Sequence, residues 1–185
     1  MFEGIEMKQK IILDKKNKIK IIKNFLIQPH FKEVQSLLMG RFTGWFYQSE
    51  SLFDVNDQSF LFQHAVYFEK EWTGTQPVIN VINPMVWAIQ EHLEFKKLSR
   101  IKANLTTNQT KQVLHPWHRD MSWPNSEKNK VAIYHVNTCN GYTQIGERKI
   151  KSEENQLIIF DNVSHCYATP TDVPARIVIN FNFIL

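Results

Sequence analysis

The chain has 185 residues, of which 43% are hydrophobic and 22% charged, with a formal net charge of +4. That length suits one domain, and the balance excludes disordered and collagen-like chains. No apolar run reaches the roughly 18 residues that a membrane-spanning helix needs. The opening MFEGIEMKQK has no apolar signal core. Two cysteines, Cys139 and Cys166, are too few for a disulfide scaffold or a four-thiolate zinc site. A soluble protein in a reduced, cytoplasmic setting is expected, with no membrane partner.

The positive charge is local. Residues 1–32 hold eight lysines against Glu3, Glu6 and Asp14, and the remainder is close to neutral. Lys18 and Lys20 alternate with Ile19 and Ile21, the period of a half-buried strand with lysines toward water. Lysines of this kind protect a sheet edge from unwanted pairing. That reading is favoured over a nucleic-acid or acidic-partner patch, so nucleic acid is a partner that is not favoured.

In chain order, residues 18–26 read as a strand. Pro29 opens a helix carrying Phe31, Val34, Leu37 and Leu38 at helical spacing and ending near Gly40. Short strand-like runs follow at Trp45–Gln48 and Ala65–Phe68. A second helix is expected over Pro84–Lys97, with Asn83 as cap and Val86, Ile89 and Leu93 as its apolar stripe. After residue 98 the pattern turns to strands. They are Arg100–Thr106, Val113–Asp120, Val131–Asn137, Tyr142–Ile145, Arg148–Lys151, Gln156–Asp161, His165–Thr169 and Arg176–Ile184. Turn formers at Asn140-Gly141, Gly146, Asp161-Asn162 and Pro170–Pro174 separate them. The expected fold class is α+β, mainly β: a jelly-roll, cupin-like double-stranded β-helix over 98–185. Residues 1–97 would buttress it with helices and strands, in one domain spanning 1–185.

The chemistry begins at HPWHRD, residues 115–120. Residues i and i+2 of a strand share a face, so His118 and Asp120 project together, about 6–7 Å apart along the strand. His115 would turn away, which argues against a zinc pair with His118. His165 follows the apolar strand LIIFD and a short corner, a position from which a third ligand reaches the barrel mouth. Two histidines and one carboxylate on one side of a metal form the facial arrangement of non-haem Fe(II) oxygenases. Arg176 opens the last strand. A buried arginine is expensive without an anionic partner, and its planar fork suits a carboxylate. A nucleophile pair of Cys139 and His135 lacks both the right spacing and an orienting carboxylate.

The ordered set of His118, Asp120, His165 and Arg176, with LIIFDN before the distal histidine and PARIVINF around the arginine, resembles the 2-oxoglutarate- and Fe(II)-dependent dioxygenases, in particular their prolyl-4-hydroxylase-like branch. The segments IIKNFL and RIKANL are similar to those of compact members from bacteria and tailed viruses, which would place the protein in a host cytoplasm if it is viral (phage). The likeness covers most of the chain and is specific from about residue 100.

It implies that His118, Asp120 and His165 hold Fe(II) and that Arg176 binds the far carboxylate of 2-oxoglutarate. With O2, the cosubstrate is decarboxylated to succinate and CO2 as a C–H bond is hydroxylated. Ascorbate is admitted as a reductant. The presence of Asp120 separates the chain from halogenating relatives. Where relatives often carry two tyrosines, this chain has Tyr134-His135, and either side chain is a candidate cosubstrate contact, His135 ahead. Asn104 and Asn180 are further candidates for lining the pocket. The expected substrate is a prolyl or other residue in a polypeptide, with free amino acids and nucleic acids as alternatives within the superfamily. A cupin-like metalloenzyme without 2-oxoglutarate and a non-catalytic jelly-roll binding protein are the alternatives outside it. Trp45, Phe46, Tyr47, Trp117 and Trp123 are read as core or substrate wall, and residues 121–129 as a lip over the site.

Overall fold

The computed structural model describes residues 8–49, 60–121 and 126–185. It is mainly β. A hairpin of β1 (Lys10–Asp14) and β2 (Ile19–Lys23) leads into α1 (Gln28–Leu38). Then come β3 (Phe46–Ser49), β4 (Phe60–Phe68), β5 (Glu71–Trp72) and α2 (Gln76–Gln90). The rest is β6 (Lys97–Thr107), β7 (Lys130–His135), β8 (Cys139–Ile145), β9 (Arg148–Ser152), β10 (Gln156–Asp161), β11 (His165–Ala168) and β12 (Ala175–Ile184). A nine-stranded sheet runs in the order β1-β2-β10-β7-β12-β6-β4-β3, with β5 on β4. A smaller sheet runs β11-β8-β9.

The large sheet is buried on both faces, and the period of two along its strands sorts residues between two cores. On one face Ala132, Tyr134, Ile177, Ile179, Phe181 and Phe183 pack with Phe31, Val34 and Leu38 of α1 and Ile82, Met85 and Ile89 of α2. On the other face Val131, Ile133, Ile158, Phe160 and Val178 meet Ile145 and Ile150 of the small sheet. The jelly-roll expectation therefore holds: helices cover one side of the large sheet and the small sheet closes the other. The first 97 residues also supply strands to both edges, β1 and β2 at one and β3 to β5 at the other.

Four local expectations differ. Helix α2 starts eight residues before Pro84 and stops at Gln90, so Pro84 lies inside it and Asn83 caps nothing. The start signal is one turn-pair upstream, at Thr75-Gln76-Pro77, and the apolar stripe Val78, Val81, Ile82, Met85, Ile89 carries the helix through the proline. Residues 113–120 do not form a regular strand; they touch the small sheet through two isolated bridges, Leu114 to Ala168 and His118 to His165. Asn140-Gly141 is a bulge inside β8 rather than a turn, because the register against β9 shifts between Cys139 and Tyr142. Lys18 sits in the β1–β2 turn with φ +54, and Lys20 donates to the carbonyl of His92, so the lysines do not form one outward row. Residues 122–125, with Trp123 and the centre of the expected lip, lie outside the described residues; Ser126–Lys128 form a single helical turn.

Candidate functional site

A cavity of about 630 Å³ opens between β4, β6 and β12 on one side and residues 116–120, β8 and β11 on the other. His118 and His165 are held together by reciprocal backbone hydrogen bonds, each N–H donating to the other's carbonyl at 2.9 Å. This bridge, not a shared strand, brings the two rings to 4.6 Å centroid separation. Asp120 lies beside both: Oδ1 is 3.9 Å from His118 Nε2, and Oδ2 is 4.0 Å from His165 Nε2. One ligand atom from each residue falls within 4.8 Å of the others.

The ring orientations are fixed locally. Nδ1 of His118 donates to the carbonyl of Pro116 at 3.1 Å, and Nδ1 of His165 donates to that of Val163 at 3.0 Å. A carbonyl can only accept, so each Nδ1 carries a proton and each Nε2 is left facing Asp120 as the atom available to a metal. This is the tautomer a metal-binding imidazole needs. Burial raises the Asp120 pKa, but the charges of His165, Arg100 and His118 and the Asn180 hydrogen bond outweigh it, leaving the group well below the ordinary carboxylate range. Burial lowers the His165 pKa, with Asp120 opposing. Two imidazoles with Nε2 turned inward and one carboxylate form a donor set suited to a divalent first-row metal.

Arg176 is 2% exposed. Its Nε donates to Ser152 Oγ at 2.7 Å and its Nη2 to Thr143 Oγ1 at 2.8 Å. Among the described residues no carboxylate pairs with it. Burial pulls its pKa down to about 10. Gly141 makes room for it: a Cβ there would stand 2.8 Å from Arg176 Cδ and 2.9 Å from the Ala168 carbonyl. The β8 bulge thus sits where the guanidinium stem passes.

His135 is fully buried on the inner face beside this arginine. Its Nδ1 meets Gln156 Oε1 at 3.0 Å, while Nε2 has no partner. Burial and the Arg176 charge bring its pKa down to about 3, so the ring is neutral. Tyr134 points the other way. It packs on Phe25 in the helix-side core, and its hydroxyl donates to Asn155 Oδ1 at 3.1 Å. Strand alternation separates the two residues, and Tyr134 is removed from the candidate pocket contacts. Asn104 lines the cavity with its buried Oδ1 unpartnered. Asn180 also lines it, but its amide is engaged by Asp120.

Sequence reasoning missed Arg100, Asn182, Thr143 and Ser152. Arg100 Nη2 approaches Asp120 Oδ1 at 3.2 Å and its Nε donates to Asn182 Oδ1 at 2.8 Å. The signal was the alternation Arg100, Lys102, Asn104 on β6 and Asn180, Asn182 on β12, polar positions facing inward between apolar ones. Other histidines lie elsewhere. His30 and His64 bond the carbonyls of Val81 and Gly44. His115 is buried and stacked on Tyr167 at 4.2 Å. Burial raises the pKa of both cysteine thiols, the opposite of what a nucleophile needs. Of the proposed aromatic wall, Trp117 lines the cavity, Trp45 packs on the helix-side core, and Phe46 and Tyr47 are exposed.

This architecture, with its metal-competent triad at the mouth of a jelly roll, is the fold of the 2-oxoglutarate/Fe(II) oxygenases. No protein-family model and no curated protein matches the chain. Among solved structures, it is similar to an oxidoreductase of the 2OG-Fe(II) oxygenase family from Burkholderia pseudomallei, with TM-score 0.66 and 6% identity over 92% of this chain and 86% of that one. A prolyl hydroxylase from Trichoplax adhaerens, in complex with a hypoxia inducible factor peptide fragment, matches with TM-score 0.61 and 13% identity over 91% and 84%. The viral collagen prolyl hydroxylase of Paramecium Bursaria Chlorella virus-1, in its 2OG complex, matches with TM-score 0.57 and 15% identity over 94% and 99%. At these identities the likeness defines the fold. No described helix is long and apolar enough to cross a membrane.

Proposed function

We propose that the protein is a 2-oxoglutarate- and Fe(II)-dependent oxygenase that hydroxylates a C–H bond, with a residue of a polypeptide, prolyl or other, as substrate. One observation carries the reading. Three metal-competent side chains and a buried, acid-free guanidinium open onto the same cavity. A buried cation held by two hydroxyls and the face of Tyr167, with no carboxylate beside it among the described residues, is costly to the fold, and a dicarboxylate that reaches from the metal to Arg176 offsets that cost.

His118, Asp120 and His165 would hold the Fe(II), which supplies O2 activation coupled to oxidative decarboxylation of the cosubstrate. The protein's own part is positional. Arg176 and the Thr143 hydroxyl grip the far carboxylate of 2-oxoglutarate, with neutral His135 beside the guanidinium on β7. Ile133 and Val178 form a dry wall along the cosubstrate. Trp117, on the exposed stretch before His118, faces the primary substrate. The peptide reading draws support from the Trichoplax neighbour, whose structure contains a peptide fragment.

The test is succinate formation from 2-oxoglutarate with Fe(II), ascorbate and air, across a panel of peptides, amino acids and oligonucleotides. The wild-type chain is expected to form succinate, stimulated by a peptide. His118→Ala is expected to lose at least about 100-fold of that rate, because losing a ligand costs at least as much as the about 10–100-fold of losing a ligand's outer partner. A folded wild-type protein that forms no succinate under any condition overturns the proposal.

A further inference from the structure

The carboxylate of Asp120 is held by more than a metal ligand requires. Each of its oxygens has two in-plane lone-pair directions. Oδ2 receives two amide donors, Asn180 Nδ2 at 2.9 Å and Asn182 Nδ2 at 3.0 Å. Oδ1 receives one long contact, Arg100 Nη2 at 3.2 Å. The three donors are themselves fixed. Asn182 Oδ1 accepts from Arg100 Nε at 2.8 Å, and Arg100 and Asn182 face each other across β6 and β12. Asn182 is fully buried and Asn180 nearly so. The arrangement is closed and built on two central strands, so it cannot relax without breaking buried hydrogen bonds.

We propose that Asn180, Asn182 and Arg100 are positioning residues that saturate Oδ2 of Asp120 and so restrict this carboxylate to a single metal bond, through Oδ1. The inference rests on the oxygenase reading above. One bond from each of the three side chains would leave coordination positions on the ion open to the cosubstrate. A second bond from Asp120 would fill one of them. The amides therefore keep coordination space open, and Arg100 holds the carboxylate plane in place through Asn182. Their effect should fall on cosubstrate binding rather than on metal binding, because a freed Oδ2 adds a metal bond while it takes a site from 2-oxoglutarate.

The test uses the full chain loaded with Co(II), with calorimetry for the metal and then for 2-oxoglutarate. In Asn180→Ala/Asn182→Ala, Co(II) affinity is expected to hold or rise, while 2-oxoglutarate binding to the loaded protein weakens at least about tenfold. The Co(II) absorption bands should shift with the changed coordination. A purely structural role would lower both affinities together. That result, or no change in either, overturns the proposal. If the double variant does not fold, wild-type protein carrying 13C-carboxylate aspartate decides the matter. Its infrared difference spectrum on metal addition should show the wide splitting between asymmetric and symmetric stretches of a one-oxygen carboxylate ligand. The narrow splitting of a two-oxygen ligand overturns the proposal and leaves the oxygenase reading intact. A wild-type chain that binds neither Co(II) nor 2-oxoglutarate defeats the oxygenase reading itself.

Discussion

Arg176 is the residue whose two roles pull in opposite directions. For the fold alone it is a burden, since a guanidinium 2% exposed and bonded to two hydroxyls recovers little of its lost hydration. For a bound diacid it is the counter-charge. The variant Arg176→Met keeps the aliphatic stem and deletes the charge, so it separates the two. Removing one partner of a buried charge pair costs about 2–5 kcal/mol, which corresponds to about 30-fold or more in 2-oxoglutarate affinity. Calorimetry on the Mn(II)-loaded variant should read that loss. Without 2-oxoglutarate, the same variant should be as stable as the parent or more so by urea denaturation, because an apolar replacement for a buried ion is often neutral or stabilising. A variant with normal affinity, or one destabilised by about 3 kcal/mol, would mean that the arginine serves the fold instead.

At the scale of elements, α2 tolerates an unusual residue. Pro84 is exposed and lies in the helix interior, where it withholds a hydrogen bond from the carbonyl four residues back. Packing of Val78, Val81, Ile82, Met85 and Ile89 on the sheet compensates. Pro84→Ala therefore restores a bond without opening a cavity. It should raise unfolding stability by about 1–3 kcal/mol, seen as a higher urea midpoint at unchanged slope; a midpoint that stays or falls would show that the proline is needed for the docking of α2. The same residue explains a misread boundary: a proline after an asparagine has the look of a helix start, and single-chain periodicity cannot weigh tertiary packing against it. The strands of the second half were legible because their alternation is strict, down to Arg176, Val178, Asn180 and Asn182 facing one way. The stretch 113–120 was not, because its extended shape comes from two isolated bridges to β11 rather than from a ladder. His118, Asp120 and His165 do come together, but through the bridge of His118 to His165 and not through the shared strand face that their spacing suggested. Arg100 and Asn182 were not legible, since their contact joins positions 82 apart and only the sheet register brings them together.

Across the whole molecule, the lysine-rich hairpin and the cavity belong to different strands of the large sheet. The lysine-rich hairpin of β1 and β2 forms one edge of the large sheet, and β10 and β7 stand between it and β12. The cavity lies over β12, β6 and β4, toward the opposite edge. Lys15 and Lys16 are exposed in the hairpin turn, and neither lines the cavity. A nucleic-acid substrate held by these lysines would have to reach from the hairpin turn into the cavity to present a base to the metal. The proposed peptide hydroxylation makes no use of them. Lys15→Glu/Lys16→Glu should then leave peptide-stimulated succinate formation unchanged between low and moderate salt. A nucleic-acid oxygenase that depends on the hairpin predicts the reverse. Its oligonucleotide-stimulated turnover would fall steeply with salt, and charge reversal at two phosphate contacts would flatten that slope by about two. The salt dependence of turnover, measured for both proteins with both substrate classes, separates these outcomes. A flattened slope in the variant would move the substrate assignment from polypeptide to nucleic acid.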